Sequence, residues 1–383
     1  MKSIFEVFIK GYKKNRDANY LGSHTYLDIA KRIIALSDYF SYENFCQQKR
    51  VGILCEDPEL FTIIFWSLQK LGITTVLFNP KTIGNNLEYC TELSTVKNIV
   101  SDKEYDLLGT DKDLEIYTID DDFMCRKLSF VQDGTIEQEL CNVRINLESI
   151  IQCSSGTTGI PKMVLRELPK LENDINNIVD TLDYASEDRI YCTAPVCHGF
   201  GLTMAVLAGT YVGGTLLLRK CLLASSFSKE YKYWKPTIIL GIPDAFRMIL
   251  RGSTLSVFNN ETRLLISSGD KADRDLLKQF HDRFGRWINQ MYGMLEASTI
   301  SVNLEPDSKN FDSVGKSVNN VRIEIRDINK ETSIGKIYIS SNALSNDYLS
   351  GDRFLVDGWY FTKDLGHQDA KGNLYIDERW KKE

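Results

Sequence analysis

The alternation of helical and extended segments constrains the fold of this chain more than any other feature. From Thr25, the helical run TYLDIAKRIIALSDYF is followed by the apolar run RVGILC, the helical ELFTIIFWSLQKLG and the extended TTVLFN. A second series contains DRIYCTAP, a helix from Leu202 to Gly209, and then GTLLLRK, PTIILGIP and TRLLISSG. Strands that alternate with helices indicate parallel sheets covered by helices, with ligand sites at the carboxyl ends of the strands. The pattern predicts an α/β fold with two βαβ-type sheet subdomains packed with helices.

The pattern changes after about Asn303. The segment VRIEIRD alternates apolar and charged residues, and GKIYISS repeats this period of two without a helix between them. Such alternation is typical of an antiparallel sheet with one covered face. We therefore expect a smaller antiparallel β subdomain, barrel-like in form. The expected divisions are residues 1–165, 166–305 and 306–376, followed by a short segment at 377–383.

Composition narrows the class of protein. A chain of 383 residues exceeds the size of one hydrophobic core, and 43% apolar with 26% charged residues is ordinary for a soluble enzyme. The net charge of −6 and the lack of a long basic run argue against nucleic acid as a ligand. Nine cysteines without a C-x-x-C pair indicate reduced thiols. The N-terminus has no signal-like apolar region, and the stretch LFTIIFWSLQKLG is too short to span a membrane, so we expect a cytoplasmic protein.

The stretch CSSGTTGIPKMV follows the apolar run ESIIQC and is rich in donors for an anion. Its turn-forming residues offer closely spaced hydroxyl and backbone N–H groups, and they are Ser154, Ser155, Gly156, Thr157, Thr158 and Gly159. Gly156 and Gly159 are only three residues apart, so the stretch is not the P-loop motif of many ATPases. By itself it is consistent either with a phosphate-binding loop or with a surface linker rich in serine, threonine and glycine.

Four later motifs decide between these alternatives. APVCHGFGL, QMYGMLE, GKIYIS and GWYFTKDLG follow the loop in this order. Together the five motifs resemble the acyl-adenylate-forming superfamily, which includes acyl-CoA synthetases, aryl-acid ligases, nonribosomal adenylation domains and luciferases. The resemblance extends back to TYLDIA and RVGILCEDPE, and so covers nearly the whole chain. It implies activation of a carboxylic acid by ATP as acyl-AMP, with transfer to CoA.

The resemblance implies roles for individual residues. The loop from Ser154 to Gly159 would wrap the β- and γ-phosphates of ATP, with Lys162 as a mobile catalytic cation. Glu296, the last residue of YGMLE, would bind Mg²⁺, which prefers oxygen ligands. The 1–165 division would end in this phosphate-binding loop.

Other positions would hold the nucleoside and the acid. Adenine would lie between Tyr292 and the turn that contains Ser268, Gly269 and Asp270, and Gly293 would allow close approach of the ligand. Asp364 would accept hydrogen bonds from the ribose, and Arg379 matches an arginine at the hinge to a C-terminal lid. His198 would act beside the substrate carboxylate as a catalytic residue. The expected acyl pocket consists of His198, Phe200, Gly241, Ile242, Met294 and Ile300.

Two alternatives to an acid–CoA ligase stay open. One is an aryl- or amino-acid ligase that loads a phosphopantetheinyl carrier protein, since Asp244 and Asp270 are near the expected pocket in sequence. The other is a nucleotide- or acyl-binding module with little turnover. The pocket residues by themselves do not identify the acid.

The sequence departs from the family pattern at four places. Met163 replaces a usual glycine, Leu295 replaces the threonine before the metal-binding glutamate, and Lys363 replaces a glycine before Asp364. The family continues into a mobile C-terminal lid that carries an adenylation lysine, whereas this sequence stops soon after Arg379 and Lys381. We expect residues 377–383 to be a hinge remnant, and a lid could be supplied by a separate partner.

Overall fold

The computed structural model describes residues 1–81, 86–105, 114–128, 131, 133–154 and 161–380. The chain begins with α1 (Phe5–Asn15), the short strands β1 (Asn19–Leu21) and β2 (His24–Thr25), and α2 (Tyr26–Tyr42). The N–H of Asp28 donates to the Thr25 hydroxyl, and the Asp28 carboxylate accepts from the N–H of Thr25. This reciprocal capping box fixes the start of α2, and it confirms the helix predicted from TYLDIAKRIIALSDYF.

The first sheet lies in the N-terminal half of the chain. Its six strands are β3 (Arg50–Leu54), β4 (Thr74–Phe78), β5 (Asn98–Ser101), β6 (Glu115–Thr118), β7 (Ile150–Ser154) and β8 (Lys162–Arg166). They lie in the order β6-β5-β3-β4-β7-β8 and are parallel except for the antiparallel pair β7–β8. The runs RVGILC, TTVLFN and ESIIQC are therefore strands, as predicted.

Helices connect and cover these strands. They are α3 (Pro58–Lys70), α4 (Leu87–Ser94), α5 (Asp121–Leu128) and α6 (Ile136–Cys141), with short 3-10 turns at Phe45–Gln47 and Asp133–Thr135. The Asp57 carboxylate accepts from the N–H of Leu60 at 2.7 Å, and Pro58 stands at the first helical position, so α3 begins there.

The second sheet has nine strands. Seven come from the middle of the chain: β9 (Arg189–Cys192), β10 (Thr215–Leu218), β11 (Ile238–Gly241), β12 (Leu264–Ser267), β13 (Asn289–Met294), β14 (Ser298–Val302) and β15 (Lys316–Ser317). The order is β15-β14-β13-β12-β11-β9-β10-β1-β2. The four strands predicted after residue 188 are thus confirmed as β9 to β12. In the sheet order, all neighbouring strands from β10 to β13 are parallel.

The N-terminal hairpin belongs to the second sheet. Leu21 of β1 pairs in parallel with Leu216 of β10, and both side chains are fully buried. The expected division at residue 165 assigns residues 19–25 to the first subdomain, whereas their hydrogen bonds join them to the second sheet. A local pattern cannot reveal this pairing because its partner lies almost two hundred residues away in sequence.

The helices around the second sheet include one of unusual geometry. They are α7 (Leu168–Leu182), a π-helix (Phe200–Leu207), α8 (Ala208–Val212), α9 (Ala224–Trp234), α10 (Pro243–Gly252) and α11 (Arg274–Phe284). The helix predicted from 202 to 209 is therefore a π-helix that continues into α8. At Gly201 a Cβ atom would lie 2.4 Å from the Pro195 carbonyl, so the tight approach of the backbone requires glycine. Such wide turns occur frequently at functional sites.

The C-terminal part forms an antiparallel sheet, as predicted. Its strands are β16 (Val321–Arg326), β17 (Gly335–Ser341), β18 (Leu355–Val356), β19 (Trp359–Gln368) and β20 (Leu374–Arg379). The order is β16-β17-β19-β18, and β20 also pairs with β19. In the described part of the chain no ladder joins β16 to β18 or β20, so the sheet has open edges rather than a closed barrel.

A buried ion pair joins the first and second sheets. Arg166 of β8 donates from Nη2 to Asp174 Oδ2 of α7 at 3.2 Å and to the Ser298 hydroxyl of β14 at 2.6 Å. Both charged side chains are only 1% exposed. Burial raises the pKa of Asp174, although the Arg166 charge opposes the shift.

Within the described residues, no helix has the length and apolar character needed to cross a bilayer.

This ion pair generates a stability prediction. Asp174→Ala leaves the Arg166 charge buried without its partner, so we expect a loss of about 3–5 kcal/mol in the free energy of unfolding. Asp180→Ala, at an exposed position of the same helix, serves as the control and should change stability by less than about 0.5 kcal/mol. Urea denaturation measures both variants, and equal stability of the two would contradict the assignment.

Candidate functional site

A polar cavity lies where β12 and β13 meet the C-terminal sheet. It has a volume of about 280 Å³ and is bounded by residues 267–271 and 290–294 together with parts of β19 and β20. The structure brings to this cavity seven residues predicted for the nucleoside: Ser268, Gly269, Asp270, Tyr292, Gly293, Asp364 and Arg379. Its position at strand carboxyl ends is the one expected for a ligand site in this class of sheet.

Asp364 is the centre of the hydrogen bonding in the polar cavity. Tyr292 Oη donates to its Oδ2 at 2.5 Å, and Arg379 Nη1 donates to its Oδ1 at 2.6 Å. Burial, followed by the nearby Asp364 charge, raises the pKa of Tyr292 well above its ordinary value, so the phenol stays protonated as a donor. These contacts fix a buried carboxylate at the junction of β13, β19 and β20.

Two glycines shape the wall of this cavity. Gly269 has φ +87°, a conformation that glycine adopts without strain, and it turns the chain after β12. At Gly293 a Cβ atom would lie 2.6 Å from the Ser298 carbonyl, which belongs to the neighbouring strand β14. We predicted that Gly293 allows close approach of a ligand, but it is the backbone of β14 that approaches this glycine closely. Gly293 nevertheless lines the cavity.

An apolar cavity adjoins the polar one. Its volume is about 410 Å³, and it lies between the carboxyl end of β7, the start of the π-helix and strands β13 and β14. Four predicted acyl-pocket residues line it: His198, Phe200, Ile242 and Met294. The predictions for Gly241 and Ile300 are corrected. Gly241 faces Ala245 and Thr193, and Ile300 is fully buried in the core, so neither reaches the cavity.

Sequence motifs missed several polar residues of the apolar cavity. They are Gln152, Arg166, Thr203, Ser298 and Thr299. The available signal was a polar residue inside an otherwise apolar strand, as in IIQC and KMVLR. Leu295, which departs from the family pattern, also lines this cavity.

The hydrogen bonds of Asn79 determine the tautomer of His198. The N–H of Lys81 donates to Asn79 Oδ1 at 3.0 Å, so the Asn79 amide nitrogen faces His198 Nε2 at 2.8 Å. Nε2 must then accept, and the neutral ring carries its proton on Nδ1. Burial lowers the pKa of His198 and favours this neutral form. Asn79, which the sequence did not single out, therefore orients a cavity residue from the first sheet.

Glu296 lies in the same region as basic side chains from three strands, Lys162, Lys363 and Arg379. Lys162 Nζ lies 3.4 Å from Tyr348 Oη, and Tyr348 donates to Glu296 Oε1 at 2.5 Å. Burial first, and then the adjacent charge of Lys162, lower the pKa of Lys363, and Arg379 contributes in the same direction. Three cations so close to one another are suited to an anionic ligand.

The phosphate-loop prediction mostly lies outside the described residues. Ser155, Gly156, Thr157, Thr158 and Gly159 are not described, and Ser154 is described only as the end of β7. Glu296 offers one carboxylate, and the described residues contain no group of three metal-ligating side chains. Because Mg²⁺ in nucleotide sites often uses one or two carboxylates with phosphate oxygens and water, the donor chemistry of Glu296 fits this ion.

Lys363 occupies a backbone conformation that favours glycine. Its φ is +63°, whereas the residues on either side continue the extended strand β19. A residue with a Cβ atom is strained in this region. A glycine at this position, as in the family pattern, would adopt the left-handed conformation without strain. Lys363 adopts the same conformation at a cost in stability.

Comparison with known proteins identifies the family. A model of the AMP-binding enzyme family matches residues 6–349, which is most of the chain. The chain belongs to this family. Indoleacetate–CoA ligase of Aromatoleum aromaticum is 28% identical over 244 residues, which cover 61% of this chain and 48% of that ligase. The 4-coumarate–CoA ligase 2 of Nicotiana tabacum is 23% identical over 389 residues, covering 94% of this chain and 71% of that ligase.

Solved structures of AMP-binding enzymes share the fold. The N-terminal domain of FACL13 from Mycobacterium tuberculosis has a TM-score of 0.82 at 19% identity, covering 99% of this chain and 100% of that one. O-succinylbenzoate coenzyme A synthetase from Bacillus subtilis, solved in complex with AMP, has a TM-score of 0.82 at 18% identity, with coverage of 97% and 98%. The α/β prediction with a separate antiparallel sheet is thereby confirmed.

The strained lysine generates the first prediction for the site. Lys363→Gly removes the penalty of a left-handed conformation, so we expect stabilisation by about 1 kcal/mol in denaturant unfolding. Lys363→Ala removes the same charge but keeps a Cβ atom, and it separates the two effects. If both variants are stabilised equally, the gain comes from the loss of the Lys363 charge and not from relief of backbone strain.

The second prediction concerns pH. A histidine whose pKa is lower in the folded state than its unfolded value of about 6.5 opposes folding when it is protonated. The stability that the neutral histidine contributes is fully present above the unfolded pKa of about 6.5. It is lost as the pH falls from there toward the lower pKa of the histidine in the folded protein. The stability of the wild type should therefore fall relative to that of His198→Gln between about pH 7 and pH 5. Thermal melts across this range measure the difference in stability between the two proteins. The control is His281→Gln, which changes a partly exposed histidine. If the difference between wild type and His198→Gln does not change with pH, His198 is not a buried neutral histidine.

Proposed function

We propose that this protein activates a carboxylic acid with ATP to form acyl-AMP and pyrophosphate, for transfer of the acyl group to CoA. The supporting observation is that the polar and apolar cavities share one wall. Ser268, Gly269, Met291, Gly293 and Met294 line both of them. A reaction that joins a nucleotide to an acid requires two such sites side by side, because positioning of the reactants supplies much of the acceleration.

The polar cavity suits the nucleoside. Asp364 is a buried carboxylate whose oxygens accept from neutral and cationic donors, and vicinal ribose hydroxyls are donors of the same kind. The Tyr292 ring and the backbone around Gly269 lie on the walls where adenine would pack. In this arrangement the hydrogen bond from Arg379 orients Asp364 toward the sugar.

The apolar cavity suits the acyl group. Ala194, Pro195, Phe200, Ile242 and Met294 supply apolar surface, and His198 offers an Nδ1–H that no described residue accepts. A neutral N–H donor beside the substrate carboxylate orients that carboxylate without neutralising its charge as a nucleophile. The described lining contains no Asp or Glu, so the α-ammonium group of an amino acid finds no carboxylate partner among these residues.

The cation cluster suits the phosphates. Lys162, Lys363 and Arg379 would stabilise the charge that develops as pyrophosphate leaves, an effect that is strong when the donors are already in place. Glu296 would hold Mg²⁺, which supplies charge neutralisation at the phosphate oxygens. Tyr348 keeps the Glu296 carboxylate oriented toward this cluster.

The relatives favour CoA over a carrier protein as acceptor. Both curated relatives described above are named as CoA ligases, and the lack of an ammonium partner disfavours amino-acid loading. Two alternatives are considered. One is an aryl-acid ligase that loads a carrier protein, and the other is a binding module with little turnover. Acid-dependent exchange of pyrophosphate into ATP, followed by CoA thioester formation, distinguishes these three outcomes.

A binding experiment tests the nucleotide site directly. AMP should stabilise the wild type, by about 2.7 kcal/mol at a hundredfold excess over its dissociation constant. Asp364→Asn should lose this shift for AMP and ATP alike, whereas Glu296→Gln should lose only the Mg²⁺ dependence of ATP binding. Calorimetric titration gives the affinities.

The control is Asp377→Asn, which breaks the pair with His367 on β19 and β20 outside the polar cavity. This variant should bind AMP as the wild type does. No stabilisation of the wild type by AMP or ATP would contradict the proposed function. Equal Mg²⁺ dependence in the wild type and Glu296→Gln would contradict the metal assignment alone.

A further inference from the structure

Asp312 brings to the polar cavity a carboxylate that the sequence motifs did not predict. It lines this cavity, and its side chain is 16% exposed. Gln290 of β13 donates through Nε2 to the Phe311 carbonyl at 3.2 Å and to the Ser313 carbonyl at 3.3 Å, on either side of Asp312. The segment that carries Asp312 is therefore held against the wall of the cavity.

Only one oxygen of Asp312 has a hydrogen-bond partner among the described residues. Arg274 Nη1 donates to Oδ2 at 2.6 Å, and the side chain of this arginine is 64% exposed. Oδ1 accepts no hydrogen bond from this part of the chain, and it is not among the enclosed side-chain atoms that lack a partner. Because Oδ1 is accessible, a ligand can reach it. Asp312 therefore offers one open acceptor to the cavity.

Asp312 lies at the side of the polar cavity that faces away from the acyl site. An outer cavity of about 420 Å³ adjoins the polar cavity, and Lys271, Asp312 and Ile376 line both of them. None of these three residues lines the apolar cavity. The wall shared with the apolar cavity is formed by other residues, from the turn after β12 and from β13. The polar cavity thus has an acyl side and an outer side, and Asp312 marks the outer side.

The reaction determines which end of the nucleotide faces Asp312. In the proposed function the acid attacks the α-phosphate, so this phosphate must lie beside the apolar cavity. The ribose comes next along the nucleotide, at the proposed contact with Asp364, and the base is the end that remains. A nucleotide that extends from the apolar cavity therefore presents its base to the outer side, where Asp312 lies.

We propose that Asp312 reads the base by accepting a hydrogen bond from the 6-amino group of a 6-aminopurine nucleotide. This inference rests on the proposed function and names a residue that determines nucleotide specificity at the same site. A carboxylate oxygen only accepts, and the 6-amino group of adenine donates. The 6-oxo group of hypoxanthine is an acceptor, so it would face Asp312 Oδ1 without a proton between the two oxygens. Sites that hydrogen-bond a substrate N–H discriminate strongly against the analogue that lacks it.

Calorimetric titration of the full chain with three nucleotides tests this preference. The first is AMP, and the second is purine riboside 5′-monophosphate, which has hydrogen in place of the amino group. The third is IMP, which has the 6-oxo group. The wild type should bind AMP about tenfold or more tightly than either analogue, because only AMP offers a 6-amino donor to the charged acceptor.

Two substitutions of Asp312 change the chemistry in different ways. In Asp312→Asn the amide oxygen can accept from Arg274, so the NH₂ group faces the base as a donor. This variant should bind IMP more tightly than AMP. Asp312→Ala has neither an acceptor nor a donor, and it should bind the three nucleotides with equal affinity. A side chain that only supported the structure would not invert the order of AMP and IMP.

The matched control is Arg274→Ala, which breaks the same ion pair but keeps the carboxylate. Arg274 lines the outer cavity and does not line the polar one. Because the bonds from Gln290 hold the Asp312 segment in place, this variant should retain the preference for AMP. Loss of the preference in Arg274→Ala would attribute it to the ion pair and overturn the direct contact.

The remaining outcomes separate this inference from the proposed function. Tight AMP binding that is equalled by purine riboside 5′-monophosphate would overturn the role of Asp312 and leave the proposed function standing. Tighter binding of IMP than of AMP by the wild type would overturn the 6-amino contact in the same way. A preference for AMP that survives in Asp312→Ala would overturn the assignment to this residue. Absence of AMP binding by the wild type would overturn the proposed function and this inference together.

Discussion

The burial of one arginine constrains how the two large sheets of this protein meet. Arg166 extends from the edge strand β8 of the first sheet, and it is neutralised by Asp174 of α7 and bonded to Ser298 of β14. A buried charge is tolerated only when its partners hold it in good geometry. The ion pair therefore fixes β8, α7 and β14 relative to one another, and the space beside it becomes the apolar cavity.

A second buried charge connects the C-terminal sheet to this arrangement. Asp364 of β19 is bonded to Tyr292 of β13 and Arg379 of β20, so one carboxylate joins two sheets. Because residues of β13 line both cavities, Arg166 and Asp364 lie beside two adjoining cavities that share this strand as a wall. The chemistry proposed for the protein depends on this shared wall more than on any single residue.

The departures from the family pattern have different physical meanings in the structure. Met163 is buried in the core of the first sheet, where it packs near Val76 and Ile151. Leu295 lines the apolar cavity, and Lys363 retains the left-handed backbone that glycine adopts more easily. The change at Met163 affects core packing, the change at Leu295 alters the surface of the apolar cavity, and the change at Lys363 adds a cation at a cost in backbone strain.

The α/β class, the antiparallel C-terminal sheet, most helix and strand segments and the motifs that meet at the polar cavity could all be predicted from the sequence. These features depend on local periodicity and on residues close together in the chain. The folded chain was needed to show that β1 joins the second sheet, that Gly241 and Ile300 do not line the cavity, and that Asn79 orients His198. It also decided that Gln152 and Arg166 share a wall, because pairing between strands and packing between sheets bring together residues whose separation in sequence carries no signal.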